Sequence, residues 1–464
     1  MSSAVTDAPH AAAGMATAAR GTKVVRLDSL TALRGVLAAM AFMVHYTALQ
    51  LVAVEGGGIE FVAHAIPEWV AVVSFGGMNA FFLMSGIVLT WVVRDGDTAR
   101  VFWRRRVSRI YPIYATTTAV AAVVLVVLGM PPGWKNVLSN MFMVQGWVPQ
   151  QSVIYGLNPV SWSLSAEAFF YLIFPVLFAA LVPLGDRALR RVIVVATLLA
   201  CTLPFLVGDM FLVKDAGPPF FDTAPSGGDF AYWFTMVLPL HRALDFTVGV
   251  AVGLLLRRGT WRGPGVPGCL AILVAAFAVT LLLPERVQRV GALLIPVAIL
   301  LAALATADAK GGRSVLHARP IVWFGEISYS FYLTHLLVFL PLGPVVTDLL
   351  VAAGVIGSSA EQPPLPVELA TIVCLFALCT TVAWLLYRFV ELPAARLLRP
   401  KPASVREAVG KPGPERHNDP EVLAEPLVGA GSTTGPKSAV ERGSTVDGQP
   451  VADVVPAQPS GTGR

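Results

Sequence analysis

LTALRGVLAAMAFMVHYTALQLVAV, residues Leu30–Val54, is the stretch that decides the fold. Its only charged or imidazole side chains are Arg34 and His45. An α-helix needs about 20 apolar residues to cross roughly 30 Å of hydrocarbon, whereas a buried strand uses only about 4–8. The segment therefore reads as a transmembrane helix. Arg34 and His45 are 11 residues apart, close to three helical turns, so they share a face about 16 Å apart along the axis. Charge facing lipid is costly. The stripe must turn toward a bundle interior or a wet cavity, where it either does chemistry or ties helices together.

Working outward, the same pattern recurs. The chain is 55% hydrophobic and only 14% charged, with a mean hydropathy of +0.68; soluble domains carry about 25% charged residues. After Leu30–Val54, nine more spans are expected: Trp69–Val93, Tyr111–Met130, Trp162–Val182, Val192–Val207, Trp233–Leu256, Gly268–Leu283, Val290–Ala307, Ile321–Val345 and Leu369–Val390. The expected class is an all-α polytopic membrane protein with about ten transmembrane helices. Trp134–Trp147 is apolar but too short to span, and is read as an interfacial or re-entrant helix.

Loop charges alternate with the count. Arg and Lys gather before the first span and in every second connection: Arg94–Arg109, Arg187–Arg191, Arg257–Arg262 and Lys310–Arg319. The opposite loops hold Lys135, Lys214, Arg286 and Arg289 but lean acidic through Asp209, Asp215, Asp222 and Asp229. Positive charge stays cytoplasmic, so both termini are expected there, in a multi-pass protein of the cell membrane. The net charge of +5 is spent on span ends, with no basic face of the kind that binds nucleic acid. The first span is expected to remain as an anchor. Residues 26–395 are expected to form the membrane domain, flanked by disordered cytoplasmic tails at 1–25 and 400–464 that lack apolar periodicity. Cys201, Cys269, Cys374 and Cys379 read as small apolar residues, and no metal-ligand spacing appears. His317, with His10, His64 and His417, reads as an ordinary loop or tail residue.

Several spans carry polar stripes. Ser163, Glu167 and Tyr171, spaced i, i+4, i+8 behind Trp162, share one face. Counting from the span ends puts Glu167 and His45 at similar depth, so carboxylate and imidazole are expected to meet; a buried Glu167 that merely satisfies an arginine is the alternative. Ser328, Tyr332 and His335 share a face of the ninth span, and His241, Arg242 and Asp245 cluster in the sixth, more as a packing ion pair than as chemistry. Asn79 and Ser85 are neutral and suit interhelical hydrogen bonds. Six arginines fall within the 16 residues from Arg94 to Arg109. Orientation explains Arg104 and Arg105; Arg106 and Arg109, i, i+3 neighbours at the mouth of a span, suit a phosphate-rich cytosolic ligand.

These residues, in this order, resemble the acyltransferase-3 family of bacterial integral membrane O-acyltransferases. The likeness runs from Arg26 to Pro393 through Arg26-Leu27-Asp28, Arg34-Gly35, His45, Phe81-Phe82-Leu83-Met84-Ser85-Gly86, Arg106-x-x-Arg109-Ile110-x-Pro112, Trp162-x-Leu164-x-x-Glu167-x-x-Phe170-Tyr171, Phe246-x-x-Gly249, Ser328-Tyr329-x-x-Tyr332-x-x-His335 and Glu391-x-Pro393. The resemblance implies ten transmembrane helices, His45 as the histidine essential for transfer, Arg34 with nearby Asp28 as the arginine upstream of it, and Arg106 with Arg109 as the motif that holds acyl-CoA. Ile87 stands where an aromatic often follows Ser85-Gly86, and Asn79 where many members are acidic; both changes bear on the acceptor pocket. The short polar tail implies a stand-alone form, without an appended hydrolase-like domain.

The expected chemistry is transfer of an acyl group, by resemblance acetyl, from acyl-CoA as donor substrate to a hydroxyl of a glycan or glycosylated small molecule. His45 is the expected general base, Glu167 orients it or the acceptor, and Arg34, Arg106 and Arg109 hold the donor. Asp28, Asn79, Ser85, Trp162, Tyr171, Ser328, Tyr332 and His335 are candidate substrate contacts. The rival class is a transporter of an anionic solute or glycan precursor; no inverted repeat supports it, and the arginines sit at one mouth only.

Overall fold

In the computed structural model the first span stops earlier than its apolarity predicts. Helix α1 runs Asp28–Ala48, and the apolar residues that follow form strand β1, Leu49–Val54, paired antiparallel with β2, Gly58–Ala63. A six-residue run that is apolar but for Gln50 does not distinguish the continuation of a helix from a short strand. The structure describes residues 25–398, except 55–57, 64–66, 95, 212–231, 284–287, 289–290 and 358–362. The two expected tails, apart from Val25, and the acidic loop with Lys214, Asp215, Asp222 and Asp229 lie outside the described residues, as do Arg286 and Arg289.

Helices α2 (Glu68–Val92), α3 (Ala99–Val127), α4 (Trp134–Met141), α5 (Trp162–Leu181), α6 (Asp186–Phe211), α7 (Pro239–Arg257), α8 (Val266–Thr280), α9 (Leu294–Ala309), α10 (Arg319–Ala352) and α11 (Leu365–Leu386) complete the bundle. Among the described residues, eight helical segments are long and apolar enough to cross a membrane, and α8 and α9 are shorter apolar helices at the seventh and eighth expected spans. Helix α4 does not span. It is followed by a turn with Met143 at φ 56° and a single 3₁₀ turn, Gln145–Trp147. A buried network holds this segment: Tyr114 donates to the Asn140 carbonyl at 2.8 Å, Gln145 Nε2 to the Ser161 carbonyl at 2.8 Å, and Ser161 Oγ to Asn140 Oδ1 at 3.0 Å.

Lipid is as apolar as leucine, so close packing rather than water exclusion joins these helices. Two glycine contacts set the geometry. A Cβ on Gly249 of α7 would strike the Leu83 carbonyl of α2, and one on Gly86 would sit 2.5 Å from the Phe246 carbonyl. A Cβ on Gly35 of α1 would lie 2.9 Å from the Gly325 amide of α10, and one on Gly325 would strike the Thr31 carbonyl. The helix pairs α2–α7 and α1–α10 thus touch backbone to backbone. Beside them Phe170 of α5 stacks on Phe246 of α7, with centroids 4.7 Å apart and 11° between planes.

The α2–α7 pair also buries charge. Arg242, 1% exposed, bonds Asp245 at 3.0 Å, Asn79 Oδ1 at 3.3 Å and His241 Nδ1 at 2.8 Å. At the opening of α1, Ser29 donates through its amide (2.9 Å) and its hydroxyl (2.6 Å) to the buried Asp308 carboxylate of α9. His317 lies 3.2 Å from the same carboxylate, which gives it a definite structural place that its loop position did not suggest.

Candidate active site

The arginine run is helix, not loop. Helix α3 begins at Ala99, with Thr98 capping the Val101 amide, so Arg106 and Arg109 lie about two to three turns into it and point inward rather than lining a loop mouth. Alternate traverses put the starts of α1, α3 and α10 at one end of the bundle. Arg34, seven residues into α1, therefore lies near Arg106 and Arg109. His45 and His335, near residue 17 of their helices, share the deeper level.

A single cavity of about 1240 Å³ joins these levels. Arg34, Arg106 and Arg109 line it at one end, with Tyr171 and its partner Glu167 beside them, and His45, Ser85, Trp162, Ser163, Ser328, Tyr329 and Tyr332 line the rest. Its wall follows α3 from Arg106 to Leu125, 19 residues or about 28 Å along the axis, which nearly matches the hydrocarbon thickness. Most of the remaining lining is apolar.

The charges at the arginine end are only partly compensated. Arg105 is paired with Asp97 at 2.7 Å. Among the described residues no carboxylate pairs with Arg34, Arg106 or Arg109. Arg106 rests instead on aromatic faces, its guanidinium 5.4 Å from the Phe102 ring centroid and 6.0 Å from that of Tyr171, and its Nε is buried without a partner. Glu167 and Glu391 lie within electrostatic range but form no direct ion pair with the three arginines, so three guanidiniums facing two carboxylates leave an excess of positive charge that suits an anion.

At the deeper level His45 meets His335 rather than Glu167: His45 Nδ1 lies 2.8 Å from His335 Nε2. Glu167 lines the same cavity but accepts from the Tyr171 hydroxyl, its i+4 neighbour. Ser163 Oγ and the Tyr332 hydroxyl are 3.0 Å apart, and Tyr332 also donates to the Val160 carbonyl at 3.2 Å. Ser328 lines the cavity while donating to the Gly325 carbonyl of its own helix at 2.8 Å.

Three candidate contacts do not line the cavity: His335, which lies behind His45, and Asn79 and Asp28. Asn79 faces Arg242 in the buried cluster between α2 and α7. Asp28 sits at the opening of α1, 3.1 Å from Arg26, which also reaches Glu326 at 2.9 Å; the Glu326 hydrogen bond and the Asp28 charge hold the Arg26 guanidinium above its ordinary pKa. Neither residue lines the large cavity. Sequence reasoning gave no role to Tyr329, which lines the cavity and donates to the Ile110 carbonyl at 3.2 Å. It also gave none to Glu391, buried in a π-turn where Ser330 Oγ donates to it at 2.9 Å. A carboxylate at the end of a span was the available signal for Glu391.

No solved structure matches the chain. Acyltransferase MdmB of Streptomyces mycarofaciens is 36% identical over 321 residues, 68% of this chain and 80% of that protein. O-acetyltransferase OatA of Staphylococcus aureus is 24% identical over 356 residues, 72% of this chain and 54% of OatA, so the likeness covers little more than half of that protein. A family model described as an acyltransferase domain, of the acyltransferase-3 type, matches residues 27–388 and takes in every helix that lines the cavity. The chain belongs to the acyltransferase-3 family of membrane acyltransferases.

Proposed function

We propose that the protein transfers an acyl group, acetyl in the simplest case, from acyl-CoA to a hydroxyl of a glycan or a glycosylated small molecule. The observation that carries this reading is one cavity with Arg34, Arg106 and Arg109 at one end, none of them in a direct ion pair among the described residues, and His45 deeper within it. Coenzyme A brings phosphates for the guanidiniums and a narrow thioester arm that fits a deep apolar channel. The acceptor oxygen attacks the thioester carbonyl carbon as His45 removes its proton. The C–O bond forms, the C–S bond breaks, and the proton returns to the leaving sulfur, giving ester and free thiol.

The excess of positive charge at the arginine end supports a cytoplasmic position for it, where acyl-CoA is made, and on the same reading for both termini. The cavity's length lets the acceptor approach from the opposite side, so an extracytoplasmic or lipid-linked glycan suits the site as well as a cytosolic glycoside. The names of both relatives agree with acyl transfer, and that of OatA with an oxygen acceptor and an acetyl group.

The test is transfer of label from acetyl-CoA to a panel of glycosides and envelope glycans by protein in nanodiscs. Ester product whose appearance matches thiol release supports the reading. Absence of acyl-CoA binding, hydrolysis and transfer alike sets it aside in favour of solute transport.

A further inference from the structure

We propose that His335 is a positioning residue: it fixes His45 as the Nδ1–H tautomer, so that Nε2 of His45 is the atom presented to the acceptor as base. The inference rests on the acyl-transfer reading, but the bond it concerns is visible without turnover.

His335 does not line the cavity and is 0% exposed. It is ringed by Phe42, Phe331 and Phe339, whose centroids lie 5.9–6.3 Å from its own. Its ring and that of His45 are 12° from parallel with centroids 5.1 Å apart, so they meet edge to edge along the 2.8 Å line from Nε2 to Nδ1. On its other side His335 Nδ1 faces the Phe331 carbonyl at 3.3 Å.

A carbonyl cannot donate, and this fixes the order of protons. If His335 carried its proton on Nε2, its bare Nδ1 would oppose the Phe331 carbonyl, two acceptors facing each other in an apolar shell. With the proton on Nδ1, His335 donates to Phe331 and its Nε2 lone pair accepts from His45 Nδ1–H. His45 then keeps a lone pair on Nε2, which has no hydrogen-bond partner among the described residues, while the ring itself lines the cavity. The chain Phe331 carbonyl, His335, His45, acceptor hydroxyl runs one way, and each proton has one place. A neutral imidazole that orients the base does the work for which other sites use a carboxylate.

Two variants separate orientation from packing. In His335→Gln the side-chain carbonyl can still accept from His45 Nδ1–H; in His335→Leu nothing can. Nitrogen NMR of ¹⁵N-histidine-labelled protein in nanodiscs, with His45→Asn to assign the signal, reads the tautomer directly. Acetyl-CoA turnover is measured on the same samples. The expected result is Nδ1–H at His45 in the wild type and His335→Gln, with that preference lost in His335→Leu. In His335→Leu kcat should fall about 10²-fold or more, the scale of a general-base contribution, with KM for acetyl-CoA unchanged, while His335→Gln recovers most of the rate. An Nε2–H signal at His45 in the wild type, an unchanged tautomer in His335→Leu, or a kcat equal to wild type in His335→Leu overturns the proposal. A wild type with the expected tautomer but no acyl transfer removes the catalytic role of the pair together with the acyl-transfer reading. In that outcome the hydrogen bond stands and the function falls.

Discussion

Replacing Arg109 with methionine should weaken the protein's hold on acyl-CoA while leaving the chemical step nearly intact. Arg109 and Arg106 line the cavity without a carboxylate partner among the described residues. Removing either therefore breaks no direct ion pair, and most of the effect should appear in ligand binding. A hydrogen bond to a charged group contributes about 1.5–3 kcal/mol, and each 1.4 kcal/mol is about tenfold in affinity. KM for acyl-CoA should rise about 10- to 100-fold in Arg109→Met, with kcat within about threefold, the pattern of lost ground-state binding. Arg106→Met should lose as much or more, because its guanidinium is already partly desolvated over Phe102 and Tyr171. Arg105→Met is the matched control: the same charge is lost one residue from Arg106 and four from Arg109, but Arg105 is paired with Asp97, so KM should not move. Initial rates in nanodiscs over a range of acyl-CoA concentrations decide the matter. A donor lacking the 3′-phosphate adds a cycle: if one arginine holds that phosphate, the truncated donor should hurt the wild type more than the corresponding variant. Equal KM values for the Arg105, Arg106 and Arg109 variants would refute the assignment of the arginine end to the donor.

Three further predictions concern the scaffold. Gly249→Leu should lower the thermal midpoint in detergent, since its side chain strikes the Leu83 backbone and overpacking costs about 1–3 kcal/mol; Gly343→Ala, which meets nothing within 4 Å, should not, and equal losses would deny the close α2–α7 contact. Asp245→Ala should destabilise the fold by about 3–5 kcal/mol by leaving Arg242 charged and buried, yet the folded fraction should keep its kcat because the cluster does not line the cavity; a stable variant, or a folded but inactive one, contradicts that placement. Asp308→Ala should cost about 1–3 kcal/mol, the penalty of an unsatisfied buried donor at Ser29, and Asp308→Asn less, as read by unfolding of purified protein; equal stability of all three proteins would argue against the cap.

Much of the bundle is legible along the chain because hydrocarbon imposes length and apolarity on every span. The Arg34–His45 stripe follows from helical periodicity alone, and so does the Glu167–Tyr171 pair, whose members are one turn apart. What periodicity cannot supply is the partner across the bundle. His45 and His335 are separated by 290 residues, and similar depth points to Glu167 instead; which residue meets His45 depends on the α1–α10 contact set by Gly35 and Gly325. Asn79 reads from its span as an interhelical hydrogen-bonding residue and from the resemblance as part of the acceptor pocket; its bond to Arg242 on the facing helix agrees with the first. The inward aim of Arg106 and Arg109 was hidden by their own charge, which reads as a loop until Thr98 is seen to start the helix before them.

The central claim is most directly tested at His45. Single-turnover transfer from labelled acetyl-CoA is measured for the wild type and His45→Ala, with acetyl-CoA binding measured in parallel. The account predicts unchanged donor binding and a rate lower by about 10²–10⁴-fold in the variant, the contribution of a general base. Transfer by His45→Ala at the wild-type rate, with donor bound equally well, would contradict it.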